Sequence, residues 1–209
     1  MLTAVVVGSG WMATNLTDDR AVALLMNAAA TVSALGLLIW ALAPVTGAHF
    51  NPAVTLIMRM RGVIATAAAW GYASAQCLGA IAGALLANFL YDQPAVSISG
   101  TARGGAGQLL AEVVATAGLL AIIVLAVDRA ANHWLPLLVP AWIASAYFFT
   151  SSTSFANPAV TVGRIFSDSF AGIDPASVPP FVIAQMVGAS LGWWFARSIS
   201  NSHKETADV

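Results

Sequence analysis

Apolar residues in this chain gather into blocks at roughly 1–13, 22–43, 64–91, 108–127, 134–150 and 178–199, separated by short polar turns. A helix that crosses the hydrocarbon core of a bilayer needs about 20 such residues. The second, third, fourth and sixth blocks reach that length, and the fifth falls slightly short. The first is too short. It carries no basic n-region and no small-residue cleavage site, which argues against a signal peptide. It reads as the tail of a helix whose beginning is missing. Two further apolar pieces, at about 51–59 and 157–166, cannot span. Each opens on Asn-Pro, a strong helix start: Asn caps the orphan N–H groups and Pro fits the first turn. The pattern predicts an all-α membrane protein of six crossing helices, the first of them truncated, and two half-helices.

The half-helices belong to a duplicated pattern. His49-Phe50-Asn51-Pro52-Ala53-Val54-Thr55-Leu56 recurs as Phe155-Ala156-Asn157-Pro158-Ala159-Val160-Thr161-Val162. One apolar block later, Gln76-Cys77-Leu78-Gly79-Ala80 is echoed by Gln185-Met186-Val187-Gly188-Ala189. Paired interrupted segments in corresponding places of two halves are the signature of an inverted repeat. The expected organisation is one channel domain over residues 1–209, with repeats at about 1–91 and 108–199 and a linker at 92–107. With three spans per half, the second half enters the membrane from the opposite side, and the half-helices point at each other. Backbone at mid-membrane that is not a full span survives only inside protein or beside a water-filled cavity. The two N-termini each bring about half a positive charge to that place, which repels cations and protons. Asn51 and Asn157 would offer their amides to a passing oxygen. Gln76 and Gln185, polar in mid-span, should face the bundle interior.

Composition agrees. The chain is 59% hydrophobic and 8% charged, with mean hydropathy +0.81; soluble domains carry about 25% charged residues. A net charge of −1 gives no reason to expect a nucleic-acid partner. No three His, Cys or Asp residues have metal-ligand spacing, and no cofactor is called for. The single cysteine, Cys77, reads as packing. With both termini inside, Arg59, Arg61, Arg129, Arg197 and Lys204 are cytoplasmic, and Arg20, Arg103 and Arg164 are outside, in agreement with the positive-inside rule. His133 and His203 are expected to be solvated. The small residues Gly79, Ala80, Gly83, Ala84, Gly188, Ala189 and Gly192 suit close helix packing.

Gly47-Ala48-His49-Phe50-Asn51-Pro52-Ala53-Val54-Thr55 and Ala156-Asn157-Pro158-Ala159 resemble the two signature loops of the aquaporin and aquaglyceroporin family. Glu112-Val113-Val114-Ala115-Thr116 is similar to the family's Glu-x-x-x-Thr element. The resemblance covers the whole chain. It implies a right-handed bundle of six transmembrane helices with two re-entrant half-helices, a homotetramer with one pore per subunit, and a multi-pass location in a bacterial inner membrane. It implies pore motifs at Asn51, Pro52, Ala53, Asn157, Pro158 and Ala159. Glu112 would hold the loop leading into the second half-helix, and its first-half counterpart would lie shortly before Met1. His49 would brace the first loop.

The family's outer constriction is set by four positions at regular offsets from the two asparagines, which here fall on Thr31, Ser145, Ser154 and Val160. Other members place an Arg and aromatic residues in this ring; these four positions hold neither. The expectation is a wide, mildly polar, uncharged opening. Arg164, seven residues after Asn157, is expected in an exposed ion pair with Asp168 at the i,i+4 spacing; the alternative is that it folds back towards the outer mouth and makes the pore narrower and more ion-tight. Val160 followed by Gly163 to Ile173 also resembles a bacterial branch, some of whose members are associated with arsenic resistance and pass uncharged metalloid acids.

The leading reading is a passive channel for small uncharged solutes: glycerol-like polyols, water and neutral metalloid acids such as arsenous acid. A water-selective channel and a non-conducting structural protein of the same fold are the alternatives; a collapse at Phe50, Phe149 or Phe155 would mark the latter. An enzyme or coupled carrier is disfavoured, because the spans hold a single acid, Glu112, and no lysine.

Overall fold

A computed structural model describes residues 1–207, with residues 201–207 described as backbone only. The expected solvation of His203 and the position of the Lys204 side chain lie outside the described residues. Among the described residues there are eight α-helices and no strand. They are α1 (Leu2–Leu16), α2 (Arg20–Thr46), α3 (Pro52–Met60), α4 (Thr66–Leu90), α5 (Ala106–Asp128), α6 (Leu135–Phe149), α7 (Pro158–Gly163) and α8 (Val178–Ala207). Four stretches are long and apolar enough to cross a bilayer: Arg20–Thr46, Thr66–Leu90, Ala106–Asp128 and Pro175–Ser200. α1 and α6 are shorter, at 15 residues each. The short α3 and α7 lie in the positions the Asn-Pro starts require.

The bundle is polar inside and apolar outside. Glu112, Thr116, Asn88, Thr161 and Gln185 are fully buried, whereas Trp40, Val45, Trp70, Phe89 and Trp194 are exposed. That distribution suits a lipid solvent, in which polar side chains must find partners within the protein. α5 packs most extensively on α8, α1 on both α2 and α4, and α2 on α6. Small residues set the closest approaches. A Cβ at Gly188 or Gly192 of α8 would overlap the carbonyl oxygens of Val113 or Ala117 in α5. At Gly163 of α7 it would lie 2.7 Å from the carbonyl oxygen of Ala80 in α4. Gly79 behaves otherwise, facing open space.

The linker is tied down. Ser97 and Ser99 donate backbone N–H groups to Phe166 and Ile165, and Asp174 N–H bonds Thr101. The segment after α4 therefore lies along the segment after α7, at one end of the bundle. At the other end Arg61 pairs with Asp128 at 2.6 Å and Ser200 donates to the same carboxylate. His133 is exposed, in the turn before α6.

Candidate functional site: the paired half-helix tips and their cavity

The two Asn-Pro segments meet tip to tip. Asn51 caps α3 by accepting from Ala53 N–H at 2.9 Å, and Asn157 caps α7 by accepting from Ala159 and Val160 N–H at 3.0 and 3.3 Å. Each Nδ2 then crosses to the other loop: Asn51 donates to Ala156 O at 2.7 Å, and Asn157 to Phe50 O at 2.9 Å. The caps fix which way the amides point, because each Oδ1 must face N–H donors. An amide nitrogen carries two donors, so one N–H of each asparagine remains for another acceptor.

The approaching loops share an unusual backbone. Ala48 and Phe50 have φ of 47° and 49°; the equivalent Ser154 and Ala156 have 53° and 47°. Non-glycine residues in this left-handed region are uncommon and are held there only by their surroundings. In the second loop Glu112 supplies the hold. Its two oxygens accept from Phe155 N–H and Ala156 N–H, both at 2.9 Å, and one also accepts from Gln185 Nε2 at 2.7 Å. Gln185 bonds Thr161 Oγ1 of α7 as well. In the first loop Gln76 Nε2 bonds Thr55 Oγ1 at 2.9 Å, and His49 Nδ1 lies 3.1 Å from the same hydroxyl. The first loop has no acid against it among the described residues. A second void of about 650 Å³, lined by Leu2, Phe50, Gln76 and Gly79 among others, borders it there.

Beside the tips runs a cavity of about 310 Å³. Stripes of residues four apart line it: Thr31, Leu35, Ile39 and Ala43 of α2; Leu119, Ile123 and Val127 of α5; Leu135, Val139, Ile143 and Tyr147 of α6. From Leu135 to Tyr147 the α6 stripe covers about 18 Å at 1.5 Å per residue. Both loops and both asparagines contribute to the wall, and Val160 and Arg164 stand at the same end as Tyr147.

This end corrects three sequence expectations. Ser145 does not line the cavity: it is exposed, and its hydroxyl bonds Ala141 of its own helix at 3.0 Å. Two residues of helix separate it from both Ile143 and Tyr147, which turns it to the opposite face. Tyr147 lines the wall instead, so this end of the cavity does hold an aromatic residue. Its hydroxyl lies 3.4 Å from both Asn27 Oδ1 and Thr31 Oγ1. Arg164 is neither exposed nor paired with Asp168. It is 3% exposed and stacked on the Phe155 ring at 3.3 Å, with Nε bonded to Ala171 O. Asp168 accepts from Gly100 N–H. Arg103 stands 4.9 Å from the same ring, anchored on the Gly172 and Phe170 carbonyls. Burial pushes its guanidinium below the usual arginine value, and Glu112 and Tyr147 act in the opposite direction. Thr31, Ser154 and Val160 do line the cavity, and Ser154 Oγ is buried there without a hydrogen-bond partner. Phe50 and Phe155 lie in the wall, whereas Phe149 is exposed.

Comparison with known proteins identifies the family. Residues 1–156 match the model of the Major intrinsic protein family. The chain belongs to the major intrinsic protein family. It is 47% identical over 189 residues to the aquaglyceroporin AqpS of Rhizobium meliloti (strain 1021), covering 90% of this chain and 81% of that protein. It is 31% identical over 173 residues to the probable aquaporin AqpM of Archaeoglobus fulgidus, covering 77% and 70%. Against aquaporin NIP1-4 of Oryza sativa subsp. japonica it is 28% identical over 163 residues, covering 75% and 58%. Major intrinsic proteins are channels, not enzymes, and this member is a membrane channel for water and small solutes such as glycerol.

Proposed function

We propose that solutes move passively along the α2–α5–α6 stripes, past a polar outer ring of Thr31, Tyr147, Ser154 and Arg164 with Val160 as its apolar side. The reciprocal bonds between Asn51 and Ala156 and between Asn157 and Phe50 carry this reading. They hold both helix N-termini at one level, and each amide keeps a free N–H. A neutral hydroxyl oxygen can exchange a hydrogen bond to water for these donors. A cation meets two positive helix ends instead. The rest of the wall is mostly apolar, so a solute passes with little to hold it. Glycerol-like polyols fit this chemistry, as do uncharged metalloid acids whose hydroxyls resemble them. We further read the chain as one domain of two inverted repeats, at about 1–91 and 108–199, with both termini cytoplasmic in a bacterial inner membrane and four copies per assembly.

A water-selective channel is the second reading. It is favoured by Tyr147 and Arg164, which add an aromatic ring and a guanidinium to that end of the cavity wall. Stopped-flow light scattering of proteoliposomes under water, glycerol and urea gradients separates the two. The polyol reading expects rapid glycerol flux in the native channel. Val160→Arg should then lose glycerol and urea flux much more than water flux. Equal loss of all three, or no loss, contradicts the placement of the ring at Val160.

A further inference from the structure

Asn27 lies one helical turn before Thr31 on α2, buried behind the cavity wall rather than in it. A polar side chain buried at membrane depth needs partners for its donors and acceptors. Its Nδ2 donates to Val6 O at 2.8 Å and to Ser9 Oγ at 2.9 Å, both on α1. Ser9 accepts there, because its own proton goes to Val5 O at 2.6 Å. Both amide protons are therefore taken by α1, and the orientation of the amide is settled. Oδ1 must point the other way, to the Tyr147 hydroxyl at 3.4 Å. That hydroxyl lies equally 3.4 Å from Thr31 Oγ1, for which it is the one partner among the described residues. Each hydroxyl carries a single proton. Only one arrangement serves both contacts: Thr31 donates to Tyr147, and Tyr147 donates to Asn27 Oδ1. The reverse, Tyr147 donating to Thr31, leaves a buried amide oxygen unpaired, which is costly. Both contacts are long for O–H···O bonds, so the relay contributes direction more than stability.

We propose that Asn27 is a positioning residue that sets solute preference: it turns the Thr31 and Tyr147 protons away from the cavity, so that their oxygens face the solute as hydrogen-bond acceptors. The inference rests on the channel reading above and deepens it. In this arrangement Thr31 keeps both lone pairs of its oxygen, and Tyr147 keeps one. Arg164, in the same stretch of wall, can only donate. Thr31 and Tyr147 supply the acceptors it lacks. A hydroxyl group needs both, since it accepts and donates at once. Water is small enough to turn and recover a lost contact. Glycerol carries three linked hydroxyls and cannot turn so freely, so it depends more on a wall of fixed polarity. Without the Asn27 oxygen, Tyr147 is free to donate to Thr31 or into the cavity, and this end loses its acceptor character.

The test uses purified full-length protein in proteoliposomes. Stopped-flow light scattering reads water and glycerol flux, and tryptophan fluorescence reads melting. Asn27→Leu removes the amide at nearly constant volume. It should lower the glycerol-to-water flux ratio by about twofold or more, the scale of one weak hydrogen bond. Asn27→Leu in a Tyr147→Phe background should show the same ratio as Tyr147→Phe alone, because the relay is already cut. A purely structural role would lower the melting temperature alike in both backgrounds and leave the ratio where it was. If Asn27→Leu does not yield folded protein, Asn27→Ser, whose side chain is too short to reach Tyr147, is read in the same cycle. A native ratio in the Asn27 variant, where Tyr147→Phe does lower it, overturns the proposal, as does a second, equal fall in the double variant. A native ratio in Tyr147→Phe removes Tyr147 from the selective wall, and the proposal with it. Absence of glycerol flux in the native protein instead overturns the channel reading beneath it.

Discussion

Glu112→Gln tests how the second loop is held. The carboxylate is fully buried and takes three hydrogen bonds, from Phe155 N–H, Ala156 N–H and Gln185 Nε2. Bonds to a charged acceptor contribute about 1.5–3 kcal/mol each. Glutamine has nearly the same shape, but one of its two terminal atoms is an NH₂ donor. Whichever way that amide turns, a backbone N–H or the Gln185 amide meets a donor. Each buried donor left unpaired costs about 1–3 kcal/mol. Burying an amide in place of a charge offsets part of this, so the expected net loss is about 2–4 kcal/mol. In a chain of this length that lowers Tm by roughly 5–15 °C. The loop residues affected include Ala156, whose left-handed backbone presents its carbonyl to Asn51. Solute flux should therefore fall together with stability. The measurements are thermal unfolding of detergent-solubilised protein by tryptophan fluorescence, and glycerol flux in proteoliposomes. A variant that melts within about 2 °C of the native protein and conducts normally would refute the claim that Glu112 holds the loop.

The other expected outcomes concern packing and the outer ring. Gly188→Ala places a methyl group against the Val113 carbonyl and must push α8 away from α5; an overpacking loss of about 1–3 kcal/mol is expected in the same melting assay, and an unchanged Tm would contradict the close approach. Tyr147→Phe removes the hydroxyl near Asn27 and Thr31. It should shift the glycerol-to-water flux ratio by about twofold or more, the scale of one weak hydrogen bond. Ser145→Ala should leave that ratio unchanged, because Ser145 faces away from the cavity. The opposite pattern, with Ser145→Ala altering the ratio and Tyr147→Phe not, would mean that α6 is rotated relative to this description.

Much of the fold was legible because its signals are local. Asn-Pro is both a cap and a first turn, so α3 and α7 could be placed from two residues each. The apolar blocks marked α2, α4, α5 and α8 because a bilayer demands uninterrupted length. Their small residues were only partly informative. Gly188 and Gly192 do touch another helix, whereas Gly79 faces open space, and nothing in its immediate neighbours distinguishes the cases. The reciprocal bonds between the tips could not be read from sequence, because they join residues more than a hundred positions apart and depend on the backbone at Phe50 and Ala156.

Ser145 was assigned to the wrong face of α6 for a single geometric reason. Offsets from Asn157 count residues along a path that leaves α6 and crosses an irregular loop, so they carry no helical phase. Phase decides which face a side chain occupies. On α6 the stripe Leu135, Val139, Ile143 and Tyr147 continues the apolar wall at intervals of four and ends on the one member with a hydroxyl. Ser145 is out of step with it. The same rule applied to Val160 leads to Arg164, four residues on. The i,i+4 relation that suggested an exposed ion pair with Asp168 equally places Arg164 in line with Val160. The structure decides between them through the segment 165–174, which turns back so that Ala171 receives the Arg164 Nε–H while Phe155 meets its flat face. Periodicity thus held the information in both cases, and the tertiary turn after α7 selected which periodic partner Arg164 would take.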